Sequence, residues 1–273
     1  MANLSSYQWT EFTDSLHLRF FEVGRLTIGT GWNTRDVCSP FWRFYRNNRD
    51  GASLELAGET YPLRGKRLYF VPEGVAFHCR NTVTIDHFYV HFDLLGLPRL
   101  AARALFDRPV CLNAVPELEE LVRGFADAPT NDLAWQCGLK AALYAGLGWH
   151  LTHLPPERRE HARQCTASLA PFLPALHFIE AHYGEPVTNK SLAGLCCLSE
   201  DYFIRRFRDC VGQTPAQYLL SQRIMQAAQQ LLFTDKSLEQ VAEETGFGSR
   251  AYFSRMFARA RGISPAAYRK GGR

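Results

Sequence analysis

The sixteen residues LCCLSEDYFIRRFRDC, 195–210, crowd together three cysteines (Cys196, Cys197, Cys210) and three arginines (Arg205, Arg206, Arg208). Close thiols can hold a metal, cycle as a redox pair or act as nucleophiles. Arginines at helical spacing can meet phosphates and base edges instead. The rest of the chain separates these chemistries. Its other cysteines, Cys38, Cys79, Cys111, Cys137 and Cys165, are scattered, and no two cysteines form a CxxC pair. Neither a zinc knuckle nor a disulfide scaffold fits, so buried free thiols serving as small core hydrophobes are expected.

Charge favours the arginines. From Tyr202 to the end there are 12 Lys and Arg against 5 Asp and Glu, although the whole chain carries a formal net charge of only +4. A basic C-terminal region points to a polyanion. With 273 residues and 46% hydrophobic composition, the chain can bury about two domain cores. The start, MANLSSYQWTEFTDS, lacks the basic and apolar regions of a signal peptide, and the longest apolar stretch, 141–149, is too short to span a bilayer. A cytoplasmic protein with no membrane partner is the expectation.

The elements that must carry these side chains change type along the chain. Residues 18–95 read as short strands, among them PFWRFYRNN, ASLELAG, KRLYFVPEG and TIDHFYVHFD, punctuated by Asn, Asp and Gly. A small antiparallel barrel or sandwich is expected there. From Val115 the pattern turns helical, near 116–127 and from Asp132 to about Leu154. The stretch PPERREHARQC, rich in charge and proline, is the best linker. The expected domains are 1–155, a linker over 156–170, and 171–273.

The last domain contains a repeat. SEDYFIRRFRDCVGQTPAQY, 199–218, matches SRAYFSRMFARARGISPAAY, 249–268, with Ser, Tyr, Phe, Arg, Phe, Gly, Pro, Ala and Tyr recurring fifty residues apart. Upstream positions match at forty-nine: Thr188 with Ser237, Leu192 with Val241, Ala193 with Ala242, Leu198 with Phe247. One residue is therefore inserted at the turn. Each unit reads as helix, tight turn, helix, over about 188–210 and 237–260, with a linker helix over about 215–233 between them. Leu192 and Leu195 should face inward, the chain should turn at Cys197-Leu198, and Ser199 should cap the second helix. Cys196 and Cys197 align with Thr245 and Gly246, which suggests a requirement for small size there. Phe203 with Phe207, and Phe253 with Phe257, are four apart and share a buried stripe. Asp201, Ile204, Arg205 and Arg208 then fall on the opposite face of the first helix, and Arg250, Ala251, Ser254 and Arg255 on that of the second. An arginine on such a face can bridge guanine O6 and N7 in a major groove. Arg205 and Arg255 occupy equivalent places and are the expected readers of DNA.

Residues 172–270 resemble the DNA-binding domain of AraC/XylS-type transcription regulators. The carriers are LAGLCCLSEDYFIRRFRDCVGQTPAQYLLSQRIMQAAQQLL and VAEETGFGSRAYFSRMFARARGISPAAYR. The resemblance implies two helix-turn-helix units on one linker helix, placed in successive major grooves. Two residues depart from the pattern: Cys197 stands where the family often has glycine, and the acid at Asp201 suits cytosine N4 rather than a phosphate.

The strand-rich half resembles the cupin-like effector domains that precede this domain in many members, on YRNNRDGASLELAGETYPLRGKRLYFVPEGVAFHC and FYVHFD. The implied fold class is α+β: a cupin-like antiparallel β-barrel with a helical dimerisation segment, then the all-α domain. The implied partners are promoter DNA, a second copy of the chain, a small-molecule effector of the sugar class and RNA polymerase. Trp32, Trp42, Arg43, Tyr45, His78 and Tyr89 are the side chains available to such an effector. His87, Tyr89 and His91 alternate along one strand, but a catalytic cupin also needs HxH and Glu on an earlier strand, and RFYRNNRDGASLELAGE has no histidine. No cysteine stands in the PCHR setting of an alkyl-accepting repair protein either. No metal, cofactor or catalytic residue is expected, and a cupin-type enzyme fused to a DNA-binding domain or a barrel serving only to dimerise are the alternatives.

Overall fold

The computed structural model describes residues 16–35, 37–95, 99–112, 116–125 and 132–271, and the chain forms two compact units that divide between Ala162 and Arg163. Among the described residues of the first unit, eight strands precede or interleave with helices: β1 His17–Ile28, β2 Trp42–Asn47, β3 Ala52–Leu56, β4 Glu59–Leu63, β5 Leu68–Val71, β6 His78–Asn81, β7 Ile85–Leu95 and β8 Val110–Leu112. The helices are α1 Arg99–Leu105, α2 Pro116–Gly124 and α3 Leu133–His153. All ladders are antiparallel. They give a five-stranded sheet, β1-β7-β2-β5-β8, and a three-stranded sheet, β4-β3-β6.

The expected barrel is thus two sheets, and among the described residues no ladder closes them into one. The hairpin β3–β4 pairs onward with β6, whereas β5 pairs with β2 and β8, so each sheet keeps its own edges. Strand alternation fills the two sides of the larger sheet differently. Trp42, Phe44, Phe70, Phe88, Phe92 and neighbours pack against Phe106 and the buried side of α3, including Leu139, Leu143 and Leu147. The other side, with Tyr45, Tyr69, Val71 and Ile85, packs on Leu54, Leu63, Phe77 and Cys79 of the smaller sheet region.

The stretch expected as a linker is helical, α4 Pro156–Leu169. The second unit continues with α5 Leu173–His182, α6 Asn189–Leu195, α7 Glu200–Val211, α8 Pro215–Phe233, α9 Leu238–Glu244, α10 Arg250–Arg261 and α11 Pro265–Gly271. No helix among the described residues is long and apolar enough to cross a membrane.

The thiols depart from expectation. All eight are free, but only Cys79 is buried, while Cys111, Cys137 and Cys197 are exposed. Several therefore sit on surfaces that cysteine tolerates without contributing to a core.

Candidate nucleic-acid interface

Each helix-turn-helix is assembled from capping and aromatic packing. Thr188 and Ser237 open α6 and α9 with reciprocal capping boxes to Ser191 and Gln240, and Thr214 does the same for α8 with Gln217. Pro215 follows Thr214 at the first helical position, where no amide hydrogen is required. Gly212 (φ 77°) and Gly262 (φ 76°) end α7 and α10 in the left-handed region.

The phenylalanine stripes are fully enclosed. Phe203 and Phe207 lie 5.3 Å apart with their rings tilted and Phe172 and Tyr218 beside them, and Phe253 and Phe257 lie 5.6 Å apart with Phe247 and Tyr268 beside them. This anchoring fixes the rotation of α7 and α10, and hence what they turn outward. Helix α8 serves both halves. Its Tyr218 donates to Glu180 Oε1 of α5 (2.7 Å), while Arg223 donates to the carbonyls of Tyr183 (2.7 Å) and Glu185 (2.9 Å). Arg269 of α11 closes the far end on the carbonyls of Leu231 and Lys236.

On the outward faces, Asp201, Arg205 and Arg208 of α7 are exposed and Ile204 is half-buried; Arg250, Ala251 and Arg255 of α10 are exposed and Ser254 is half-buried. The structure brings each expected set onto one face of its own helix. One inward assignment and one cap fail. Leu192 is buried, but Leu195 is 42% exposed, because α6 ends there and the side chain projects beyond the packed turn. Ser199 makes no side-chain cap bond, whereas its counterpart Ser249 accepts from the Tyr252 amide.

The tight turn also differs in cause. Cys197 lies at φ 55° and its counterpart Gly246 at φ 76°, so the shared requirement is a left-handed backbone, not small size. The residue inserted in the second unit is Gly248, itself at φ 65°. A side chain at Gly246 would also approach the Arg223 guanidinium and the Gly184 carbonyl to 2.9 Å.

Tyr202 and Tyr252, not among the expected DNA contacts, are exposed at equivalent places in the first turns of α7 and α10. Their recurrence fifty apart was the available signal. Arg205 lies over the Tyr202 ring, 5.7 Å from its centroid, and Arg250 is tied to Glu239 at 2.5 Å.

Residues 192–271 match the family model described as a helix-turn-helix domain. The chain is similar to the MmsAB operon regulatory protein of Pseudomonas aeruginosa, 35% identical over 99 residues, 36% of this chain and 32% of the relative. The chain carries an AraC-type helix-turn-helix domain. The chain is also similar to the HTH-type transcriptional regulator AlkR of Acinetobacter baylyi, 37% identical over 96 residues, 35% of this chain and 31% of that one. The match spans about a third of the length of these curated relatives. Outside the AraC-type domain the likeness is one of fold: the structure of ToxT from Vibrio cholerae aligns over 94% of this chain and 98% of its own, with a TM-score of 0.53 and 14% identity.

The six residues expected at an effector divide three ways. Arg43, Tyr45 and Tyr89 share the face of the larger sheet that looks toward the smaller one, with Trp32 edge-on to Tyr45 at 6.3 Å. Trp42 points to the opposite side and packs on Phe70 and Phe106, since neighbouring strand residues alternate. His78 lies on the outer side of the smaller sheet, in a cleft of about 630 Å³ with Asn33, Arg35, Glu55 and Arg80. His87, Asn47, His91 and Glu22 join the shared face instead. His87 Nδ1 meets Asn47 Oδ1 at 2.7 Å, and burial pushes the imidazole down to about 4. Tyr89 and His91 both contact Glu22, at 2.8 and 2.9 Å. Tyr89 lies flat across Gly24, where a Cβ would come within 2.4 Å of the phenol. Burial raises the Tyr45 phenol to about 12, so it stays a neutral donor. Among the described residues no group of three metal-binding side chains converges.

Proposed function

We propose that the chain is a homodimeric transcription regulator that binds promoter DNA through α7 and α10 and answers to a small molecule held in its N-terminal unit. The observation that carries this reading is the pair of exposed arginines, Arg205 and Arg255, at equivalent places on two helices packed on one linker helix. The N-terminal part of each helix would enter a major groove, with Asp201, Ile204, Arg205 and Arg208 in one and Arg250, Ala251, Ser254 and Arg255 in the next.

The two facing sheets with their aromatic interior support a cupin-like effector fold, the ligand lying on the face of Arg43, Tyr45 and Tyr89 with Trp32 beside it. Binding would shift the population between arrangements that engage DNA, and so RNA polymerase, differently, in the cytoplasm. Helix α3 supports the dimer. Its outer face carries Ala134, Cys137, Ala141, Ala145 and Gly148, and Lys140 is its only Lys, Arg, Asp or Glu. A helix apolar on every side calls for cover, and small residues let a second helix approach closely.

Fluorescence titration and footprinting on promoter fragments test the reading. The native chain should protect two adjacent major-groove segments on one DNA face, and Arg255→Ala should weaken binding and relax one base preference. Sequence-independent binding by the native chain, with no footprint, would refute it. Sedimentation should give a dimer that Ala141→Trp dissociates.

A further inference from the structure

Strand β2 carries two buried arginines with opposite surroundings. Arg46 turns toward the helices and meets Glu119 with two nitrogens, Nε at 3.0 Å and Nη2 more closely. Arg43 turns toward the smaller sheet and is only 4% exposed. It donates to Ser39 Oγ, is hydrogen-bonded to the Tyr45 side chain, and lies against the rings of Phe41 and Phe77, 4.5 and 5.3 Å from their centroids. Its Nη1 is enclosed with no hydrogen-bond partner, and no carboxylate pairs with Arg43 among the described residues. The carboxylate on the same face, Glu22, is taken up by Tyr89 and His91.

A guanidinium cannot shed its proton, so its charge persists in the interior. Cation–π contacts offset part of the desolvation, yet an unpaired buried cation with an idle donor remains costly. A second idle donor lies along the same strand face. Asn47 Nδ2 is enclosed without a partner, while its Oδ1 is engaged by His87. Between the two lies Tyr45, with Trp32 and Tyr89 beside it.

We infer that the face between the sheets binds a small organic acid, its carboxylate on Arg43, its apolar or aromatic body along Tyr45 and Trp32, and an acceptor toward Asn47. A neutral sugar would satisfy the hydrogen bonds but leave the charge uncompensated, so the sugar class gives way to a carboxylate. The inference rests on the reading of the N-terminal unit as an effector domain.

Thermal unfolding of the full chain tests it with hexanoate, phenylacetate and 4-hydroxyphenylacetate, each beside its primary amide, and with arabinose. The acids should raise Tm by about 3–5 °C per tenfold excess over Kd, while the amides and the sugar should leave it in place. Arg43→Gln should abolish the acid response and Arg43→Lys should retain part of it. Equal shifts with acid and amide, no shift with any acid, or an undiminished response in Arg43→Gln would overturn the inference. Should Arg43→Gln fail to fold, the acid-against-amide contrast on the unaltered chain decides alone. DNA affinity scored on the same sample separates the two readings: intact DNA binding without an acid response removes only the carboxylate, whereas lost promoter binding strikes the regulator itself.

Discussion

The two helix-turn-helix units share a scaffold and differ at the surface it presents. Both bury a Phe-x-x-x-Phe stripe completely, close on a tyrosine of the following helix and end on a left-handed glycine. Outward, α7 begins with Glu200 and Asp201 and balances Arg205, Arg206 and Arg208 with three acids in all, whereas α10 carries Arg250, Arg255, Arg259 and Arg261 with no acid. Helix α7 also lacks a side-chain cap, and the turn before it holds a cysteine where a left-handed backbone favours glycine. Packing is thus duplicated while the charge of the outward helix is not, although Glu239, Glu243 and Glu244 of α9 bring the two units to the same net charge. Helix α10 should supply more of the electrostatic attraction to DNA than α7, and α7 should discriminate more than it attracts.

The largest effects should test the likeness of the cores. Phe207→Ala and Phe257→Ala should each destabilise the second compact unit by about 3–5 kcal/mol in urea unfolding, because both rings are fully buried. A difference of more than about 1 kcal/mol between them, beyond ordinary context scatter, would break the claim of an equivalent core. Next come the readers. Arg255→Ala should cost about 1–3 kcal/mol of specific DNA affinity, and Arg205→Ala less, since the acids of its first turn already oppose phosphate approach. Equal losses would show that the acids are silent in the complex.

The turns separate the units further. Gly246→Ala should destabilise by about 1–3 kcal/mol, through its left-handed backbone and the Arg223 and Gly184 contacts, while Cys197→Gly should stabilise by about 0.5–1 kcal/mol. Thermal melts of the two variants check the opposite signs. The smallest effect is expected of Asp201→Asn, which removes one acid from an exposed first turn and should strengthen non-specific binding at low salt by up to about 1 kcal/mol. If the variant binds more weakly to the cognate site alone, Asp201 is a cytosine contact.

Much of the second unit was legible because its signals are local or repeated. Caps at Thr188, Thr214, Ser237 and Ser249 act within one turn of chain, and the Phe spacing is a helical period. Leu195 misled because apolarity marks a buried face only while the helix continues. Cys197 misled because two small residues aligned at a turn report size and backbone conformation alike. In the first unit, six plausible ligand side chains could be picked by type, yet Trp42, Arg43 and His78 face three different surroundings. Neighbours on a strand alternate sides, and which side meets the other sheet depends on pairings far along the chain.

The sequence by itself determined the α+β division, the doubled helix-turn-helix, the anchoring phenylalanines and the arginines opposite them, since periodicity and capping are written within a few residues. Only the tertiary structure decided that the strands form two sheets, that Arg46 meets Glu119 while Arg43 meets no carboxylate among the described residues, and that the turn needs a left-handed residue. Those outcomes depend on what long-range packing sets against a side chain, and no local pattern of residue types encodes the partner.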